Sequence, residues 1–429
     1  MERRFCFLGL GFCLLLGTAK ASENSSGSYW PTWLQLGGQL RGRFEDLSAP
    51  ALAGTGKDDF LYLSRLRCDV RVRAQSWLRF FAQVQDSRVF GYNGPAHTSM
   101  QDPLELRQAY VEIGGEGENT IRARVGRQVI ALGSERLVGP SNWGNVARSF
   151  DGARLSIYEP GIALDLLAAT VVLADPSRFD RHKPGEHLYG SYLGLSKLLR
   201  GASVEPYVFI KQTLNVVGEK GRVGDALTAT IGARVIGKAD YNLDYSAEIA
   251  AQRGSYATDR VSALAGAYTV GWTLASAAWK PRFILEYKHS SGDPASKDGV
   301  RQTFDQLYAS LHGFTGIEDQ VGWKNLRNPR AAIEANLTKN LKLQVDFNDL
   351  YLATVQDGLY NCSGTRTILN RNATSRHIGR EADMFATYQQ SKHLQFGAGF
   401  GHIFAAQYLH ESTSKQGYSY PFLMWIADF

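Results

Sequence analysis

The sequence has little of what marks helical membrane proteins, disulfide-bonded secreted proteins or serine hydrolases. Its 429 residues include only 4 Met and 4 Cys. Beyond residue 21, no segment reaches the ~18 apolar residues that a membrane-spanning helix needs. No G-x-S-x-G motif follows a predicted strand, and the 9 His are scattered along the chain. These features argue against an enzyme and give no reason to expect a cofactor.

The first 21 residues have the three parts of a secretory signal peptide, which are a basic start, an apolar core and a small-residue cleavage site. These parts are Arg3–Arg4, Phe5–Leu16 and Ala19–Ala21. We expect export through the Sec pathway, cleavage after Ala21 and a disordered leader over residues 22–32. The mature chain keeps Cys68 and Cys362, which are too few for a disulfide framework and indicate no metal site.

The most informative stretch runs from Arg65 to Arg73, where charged and apolar residues alternate strictly. A period of two predicts a β-strand with two unlike faces. One face carries Leu66, Cys68, Val70 and Val72, and the other carries Arg65, Arg67, Asp69, Arg71 and Arg73. Four arginines on one face of one strand repel each other, so this face needs a special environment.

The same two-faced pattern recurs along residues 33–429 and predicts about 18 strands, many of them ~9–11 residues long. The connections alternate between short and long. The long ones are Asp46–Asp59, Arg88–Pro103, Val129–Ser149, Ala174–His187, Ser290–Arg327 and Leu352–Arg380. Short turns at one rim and long loops at the other are typical of an outer-membrane barrel. The chain also ends in an apolar strand that closes with Phe429.

We therefore predict an all-β, antiparallel, up-and-down transmembrane barrel with short periplasmic turns and long extracellular loops, formed by residues 33–429 as a single domain. A soluble secreted β-protein, such as a polysaccharide lyase, is the alternative. Its apolar faces would have to pair sheet on sheet. The net charge of +6 permits an anionic substrate or an anionic membrane.

The polar faces of the predicted strands should line the lumen, because charged side chains facing lipid are costly. Arginines dominate the first six strands, and the acids belong more to the middle and later strands. This distribution predicts a basic wall that attracts anions. A ladder of arginine–carboxylate pairs that braces a polar lumen is the alternative. The lumen-facing arginines on these strands are Arg41, Arg43, Arg65, Arg67, Arg71, Arg73, Arg79, Arg122, Arg124 and Arg154. Asp69 and Glu112 are candidate bracing acids.

Several segments in series resemble the alginate-export outer-membrane porin family, and the resemblance covers nearly the whole mature chain. They include R-L-R-C-D-V-R-V-R, E-L-R-Q-A-Y-V-E, R-V-G-R-Q, L-G-S-E-R-L-V-G-P-S-N-W, F-D-G-A-R-L and H-G-F-T-G-I-E-D. The resemblance implies an 18-stranded monomeric barrel with an arginine-rich constriction that exports polyuronate chains. It adds Arg127 as a conduit residue and Asp151 as a brace for an arginine. Counting along the strand in steps of two places Arg127 on the lipid-facing side. Either a bulge reverses the alternation there or the residue lies at the rim.

The predicted function is passive export of an anionic polysaccharide through an anion-selective pore in the bacterial outer membrane. The expected partners are that polysaccharide, outer-membrane lipid and periplasmic export components, and no nucleic acid. An uptake porin for anions or oligosaccharides is the second hypothesis. An outer-membrane enzyme, such as a lipase or protease barrel, is the third; it would need a Ser/His/Asp cluster near a rim.

Overall fold

A computed structural model of the protein describes residues 31–47, 52, 59–94, 97–414 and 416–429. The predicted signal peptide, its cleavage site after Ala21 and residues 22–30 of the predicted leader lie outside these residues.

Eighteen long antiparallel strands form the architecture, in agreement with the number predicted from the alternation. Their bounds are β1 (Leu34–Leu47), β2 (Asp59–Gln75), β3 (Leu78–Phe90), β4 (Asp102–Gly114), β5 (Thr120–Gln128), β6 (Phe150–Glu159), β7 (Ile162–Leu173), β9 (Glu186–Leu199), β10 (Ala202–Val217), β11 (Val223–Ala239), β12 (Leu243–Tyr256), β13 (Asp259–Thr273), β14 (Arg282–Ser290), β16 (Leu326–Asn336), β17 (Leu341–Leu352), β20 (His377–Ser391), β21 (Leu394–Ala405) and β22 (Gly417–Asp428). Four short strands lie in the connections: β8 (Arg181–His182), β15 (Val300–Arg301), β18 (Leu359–Tyr360) and β19 (Arg366–Ile368).

Each long strand pairs with its neighbours in sequence, and β1 pairs antiparallel with β22 to close the sheet into a barrel. The closing register runs from Gln39 opposite Asp428 to Glu45 opposite Phe422. Phe429 extends it, because its backbone N–H donates to the Gly38 carbonyl at 3.0 Å and its carbonyl accepts from the Gly38 N–H at 2.9 Å. Closure leaves no unpaired edge, which a bilayer-crossing sheet requires.

The two faces of the strands separate as predicted. On β5, the outward side chains Ile121 and Val125 are 61% and 59% exposed, whereas Arg122 and Arg124 point inward. Outward aromatic rings gather near both rims, among them Trp77, Trp272 and Tyr388 at one end. Phe44 and Phe60 stack at the other end with ring centroids 6.0 Å apart. Aromatic girdles that flank an apolar band are typical of outer-membrane barrels.

The connections sort by length as the sequence predicted, with two exceptions. We call the rim that carries turns 76–77, 160–161 and 392–393 the short-turn rim, and the opposite end the long-loop rim. Both chain ends of the barrel, at β1 and β22, lie at the short-turn rim. The exceptions are 218–222 and 257–258, which are short although they lie at the long-loop rim.

Helix is nearly absent from the described residues. The one helix in this part of the chain, α1 (Gln407–Ser412), has six residues and lies between β21 and β22. Within the described part of the chain, no helix has the length and apolar character needed to cross a bilayer.

Candidate functional site

Two of the long connections fold into the barrel and pair with each other across the lumen. The first inner loop is 129–149, between β5 and β6, and the second inner loop is 291–325, between β14 and β16. Val138 and Tyr308 form a parallel bridge, and the Tyr308 N–H donates to the Leu137 carbonyl at 2.8 Å. Arg148 adds contacts from its guanidinium to the carbonyls of Gly139 and Tyr308. Burial lowers the pKa of Arg148 to about 10.

The first inner loop covers the arginines of β1 and β2 near mid-barrel. Arg65 donates to the carbonyls of Asn142 and Gly144 at 2.9 and 3.1 Å, and Arg41 donates to both at 3.0 Å. Arg43 donates to the Trp143 carbonyl at 2.7 Å and lies 4.0 Å from the centroid of the Trp143 ring. Backbone carbonyls are good partners for guanidinium donors, so the loop satisfies charges that have few carboxylates nearby.

This contact corrects part of the predicted basic wall. Arg41, Arg43, Arg65 and Arg67 do point inward, but they are only 2–8% exposed and bind the protein itself. Sequence alternation predicts which face a side chain occupies. It does not predict that a loop about 100 residues further along the chain will occupy the space in front of it.

The opposite wall of the barrel carries acids of the middle and later strands. The first inner loop contacts these acids as well. Arg136 contacts Glu286 of β14 at 3.0 Å and Glu248 of β12 at 3.6 Å. The loop therefore offers carbonyl oxygens to the basic wall and a guanidinium to the acidic wall. Charge complementarity of this kind fixes register, and here it holds the loop across the lumen.

Arg107 belongs to the basic wall but was missed by sequence analysis. It is 6% exposed, and its Nη1 donates to Gln83 Oε1 at 2.7 Å. The β3–β4 register shifts between Gln83 and Val84, which turns Arg107 inward. The available signal was a change of phase in the alternation, because Leu104 and Leu106 lie on one parity whereas Ala109 and Val111 lie on the other.

Other arginines line a cavity of about 280 Å³ inside the short-turn rim. We call it the basic pocket. Five guanidiniums and two carboxylates line it, which leaves three net positive charges. They belong to Arg71, Arg73, Arg79, Arg122, Arg124, Glu112 and Glu116, and Gln35 and Tyr110 complete much of the wall.

Glu112 organises the arginines of the basic pocket. Its carboxylate lies 2.9 Å from Arg79, 2.6 Å from Arg124 and 3.9 Å from Arg122. The Arg124 guanidinium also stacks over the Tyr110 ring at 4.2 Å. One carboxylate holds three cations at short range, so Glu112 positions more positive charge than it cancels.

Arg71 and Arg73 are the exposed members of the basic pocket. Arg73 pairs with Glu116 at 3.1 Å, and both side chains are more than half exposed. Arg71 has no ion pair among the described residues; its contacts are a 3.5 Å hydrogen bond to Gln35 and the Phe81 ring at 5.5 Å. A guanidinium in this position is free to bind a carboxylate with its planar fork.

Asp69 does not brace an arginine, contrary to prediction. No ion pair within 4.0 Å involves it in the part of the chain that we describe, and its carboxylate accepts a long hydrogen bond from Gln83 at 3.5 Å. The reason lies in its neighbours on the inward face of β2. Arg67 reaches up to Gln85 and Asn142, and Arg71 reaches across to Gln35.

The remaining predicted conduit residues, Arg127 and Arg154, lie outside the basic pocket. Arg127 pairs with Asp151 at 2.8 Å and donates to the Asp180 carbonyl at 3.0 Å, near the long-loop end of β5. The β4–β5 register ends at Arg127 and the β5–β6 register passes through it, neither with a shift. Of the two alternatives, the position toward the rim is therefore the one that fits. Arg154 is inward but binds Asp165 through both carboxylate oxygens at 2.8 Å.

A second cationic cavity, of about 340 Å³, opens on the long-loop side of the inner loops. Its charged lining consists of Lys183, Lys211, Arg301, Lys324, Glu186 and Asp305. Lys211 contacts Asp305 of the second inner loop at 3.1 Å. Burial opposes the charge of Asp305, but Lys211 and then Lys324 outweigh burial and hold the pKa of this carboxyl well below its usual range. Positive potential therefore extends to both sides of the inner loops.

Comparison with known proteins identifies one family by sequence. A family model described as alginate export matches residues 32–420. No curated protein matches the chain.

Solved structures with the same fold are bacterial porins of low sequence identity. OccAB1 from Acinetobacter baumannii has a TM-score of 0.66 at 11% identity, over 95% of this chain and 99% of that one. A BenF-like porin from Pseudomonas fluorescens Pf-5 has a TM-score of 0.61 at 10% identity, over 92% and 98%. OpdK from Pseudomonas aeruginosa, solved with vanillate, has a TM-score of 0.59 at 11% identity, over 92% and 98%. The closed 18-stranded barrel is thus the fold of outer-membrane porins.

Proposed function

The chain belongs to the alginate export family, and on that premise we propose that it is an anion-selective outer-membrane channel for passive export of an anionic, alginate-like polysaccharide. The observation that carries the proposal is the basic pocket. Its five arginines face two carboxylates, and Arg71 has no acidic partner among the described residues. A polyuronate carries one carboxylate on each sugar, and arginine binds carboxylates through two parallel hydrogen bonds. In this proposal the short-turn rim faces the periplasm, so the basic pocket is the first surface that an exported chain meets.

The cavity on the long-loop side also favours anions over cations. An anion that has passed the inner loops would meet Lys183, Lys211, Arg301 and Lys324. Basic surfaces in series attract an anion along the path without one deep trap, and conduction needs binding sites that are weak enough to leave.

The proposal also covers the export, the location and the oligomeric state of the protein. We infer that the protein is secreted with cleavage after Ala21 and resides in the outer membrane. We also infer that it acts as a monomer, because its first and last strands complete the barrel without a second chain. Passage through a preformed channel breaks no bond, so the proposal assigns the protein neither enzymatic activity nor a cofactor.

A second candidate is an uptake porin for small anions, and the inner loops favour it. They cross the lumen, and the two cationic cavities on either side of them have volumes of about 280 Å³ and about 340 Å³. Spaces of this size suit a small carboxylate such as the vanillate in the OpdK structure. Polysaccharide export through the same barrel would require the inner loops to move aside.

Ion currents through the purified barrel in planar bilayers test both candidates. Under a salt gradient we expect a reversal potential that shows anion preference. An oligouronate added at the short-turn rim should interrupt the current, while a neutral oligosaccharide of equal length should not. Cation preference, or equal block by both sugars, would refute polyuronate export. Anion preference with current carried by small aromatic carboxylates, and no block by oligouronates, would favour the uptake porin.

A further inference from the structure

Three acidic side chains meet inside the barrel, away from the basic pocket. Glu318 belongs to the second inner loop, and Glu381 and Asp383 lie on the inward face of β20. One carboxylate oxygen from each lies within 4.8 Å of the others. The side chains are deeply buried, at 4%, 1% and 3% exposure.

These carboxylates lack the partners that buried acids normally have. Five of their six oxygens are buried without a hydrogen-bond partner among the described residues: both of Glu318, both of Asp383 and Oε1 of Glu381. The nearest cations serve other acids, since Arg330 binds Asp346 and Lys288 contacts Glu286. Buried unpaired carboxylates are strongly unfavourable unless they share a proton or bind a cation.

The backbone around the three carboxylates is shaped to let them converge. A Cβ on Gly401 would lie 2.5 Å from Glu318 Oε1 and 2.7 Å from Asp383 Oδ1. Gly316 lies so close to the Glu381 carboxylate that any side chain there would collide with it. Two glycines thus keep the space open. Asn348, opposite Glu381 in the β17–β20 register, is also buried with its side-chain oxygen and nitrogen unpartnered.

A second group of three acids provides a contrast. Asp102, Glu105 and Asp180 also bring carboxylate oxygens within 4.8 Å of one another. Here Arg127 lies 3.6 Å from Glu105, whose carboxylate also accepts the backbone N–H of Asp180 at 2.9 Å. Protein groups already offset much of the negative charge in this second group, but they do not do so at Glu318.

We propose that Glu318, Glu381 and Asp383 form a binding site for a divalent cation, Ca²⁺, which fastens the second inner loop to the barrel wall. All the donors are oxygens, and Ca²⁺ prefers carboxylate and amide oxygens in sets of about six to eight. Three carboxylates can supply up to six oxygens, and Asn348 Oδ1 is placed in register to supply another. A proton shared among the three carboxylates is the competitor of the metal ion.

Equilibrium dialysis of the full-length barrel in detergent against radioactive Ca²⁺, after treatment with EDTA, tests the site. We expect one tightly bound Ca²⁺ per chain in the native protein and loss of that ion in the Glu318→Gln/Asp383→Asn variant. The matched control, Asp102→Asn/Glu105→Gln, changes two acids of the second group and should retain the ion. Absence of binding to the native protein, retention in the first variant, or equal loss in the control would overturn the proposal.

Thermal unfolding of the native protein provides a readout that does not depend on whether the variant folds. Ca²⁺ should raise the unfolding temperature of the native protein above its value in EDTA, because a ligand that binds only the folded state stabilises it. Glu318→Gln/Asp383→Asn should fold without Ca²⁺, since neutral amides relieve repulsion, and should show no such rise. An unfolding temperature of the native protein that Ca²⁺ leaves unchanged would also overturn the proposal. Neither measurement involves transport, so the outcome is separate from that of the proposed function.

Discussion

Replacing Arg71 and Arg73 by glutamine should weaken the anion preference of the channel while leaving the barrel intact. Both side chains are exposed in the basic pocket, and the only ion pair that either makes among the described residues joins Arg73 to the exposed Glu116. Exposed pairs of this kind contribute little to stability, about 0–1 kcal/mol. The substitution therefore changes the charge of the pocket from three net positive charges to one, with little effect on folding.

The expected size of the effect follows from simple electrostatics. At a separation of about 8 Å in water, one unit charge shifts the energy of a monovalent ion by about 0.5 kcal/mol. At 0.1 M salt, where the Debye length is about 10 Å, roughly half of that shift remains. Removing two positive charges therefore disfavours an anion by about 0.5 kcal/mol and favours a cation by about the same amount. The anion-over-cation permeability ratio should fall about fivefold, since 1.4 kcal/mol corresponds to a factor of ten.

Reversal potentials of single channels under a salt gradient measure this ratio directly. The matched control is Lys339→Gln/Lys392→Gln, which removes the same charge from exposed turns at the same rim without touching the pocket. The control should keep its ratio. If the arginine variant also keeps its ratio, or if both variants lose it equally, the basic pocket does not select ions and the reasoning fails.

Two other perturbations address the inner loops. Trp143→Ala removes a cation–π contact at 4.0 Å and a ring stack on His312 at 3.8 Å, which together hold the first inner loop by about 1–3 kcal/mol. We expect a larger and noisier single-channel current, with Trp279→Ala in the β13–β14 connection, where the side chain is 50% exposed, as the unaffected control. For the second inner loop, the depressed pKa of Asp305 means that its pairing stabilises docking above about pH 4, the ordinary carboxylate pKa, and is lost only as the pH falls further. Conductance should therefore stay constant from pH 7 to about pH 4, whereas Asp305→Asn should alter it already at pH 7.

The wall of this barrel could be predicted from the sequence, because each strand carries its own evidence. The alternation around Arg65 and Arg122 sets which face is inward, and lipid makes the opposite choice too costly. The filling of the lumen could not be predicted in the same way. Arg41 and Arg65 meet Asn142 and Gly144 through backbone carbonyls, which leave no trace in residue type.

The cluster of Glu318, Glu381 and Asp383 could not be predicted from the sequence either. Glu381 and Asp383 lie two residues apart on one strand, β20, but Glu318 joins them from a long loop with no periodicity. Only the folded loop brings the third carboxylate to the other two. Arg107 differs from both cases, because the change of phase between Leu106 and Ala109 records the bulge that turns it inward.

The parallel bridge between Val138 and Tyr308 has a mechanical consequence. It makes the two inner loops one body, which is tied to the wall by Arg41 and Arg65 at one end and by Lys211 at the other. Neither loop can retract alone without breaking the hydrogen bonds that both share. If the inner loops move, we expect them to move together, so current records should show single full steps between two levels rather than two independent partial steps.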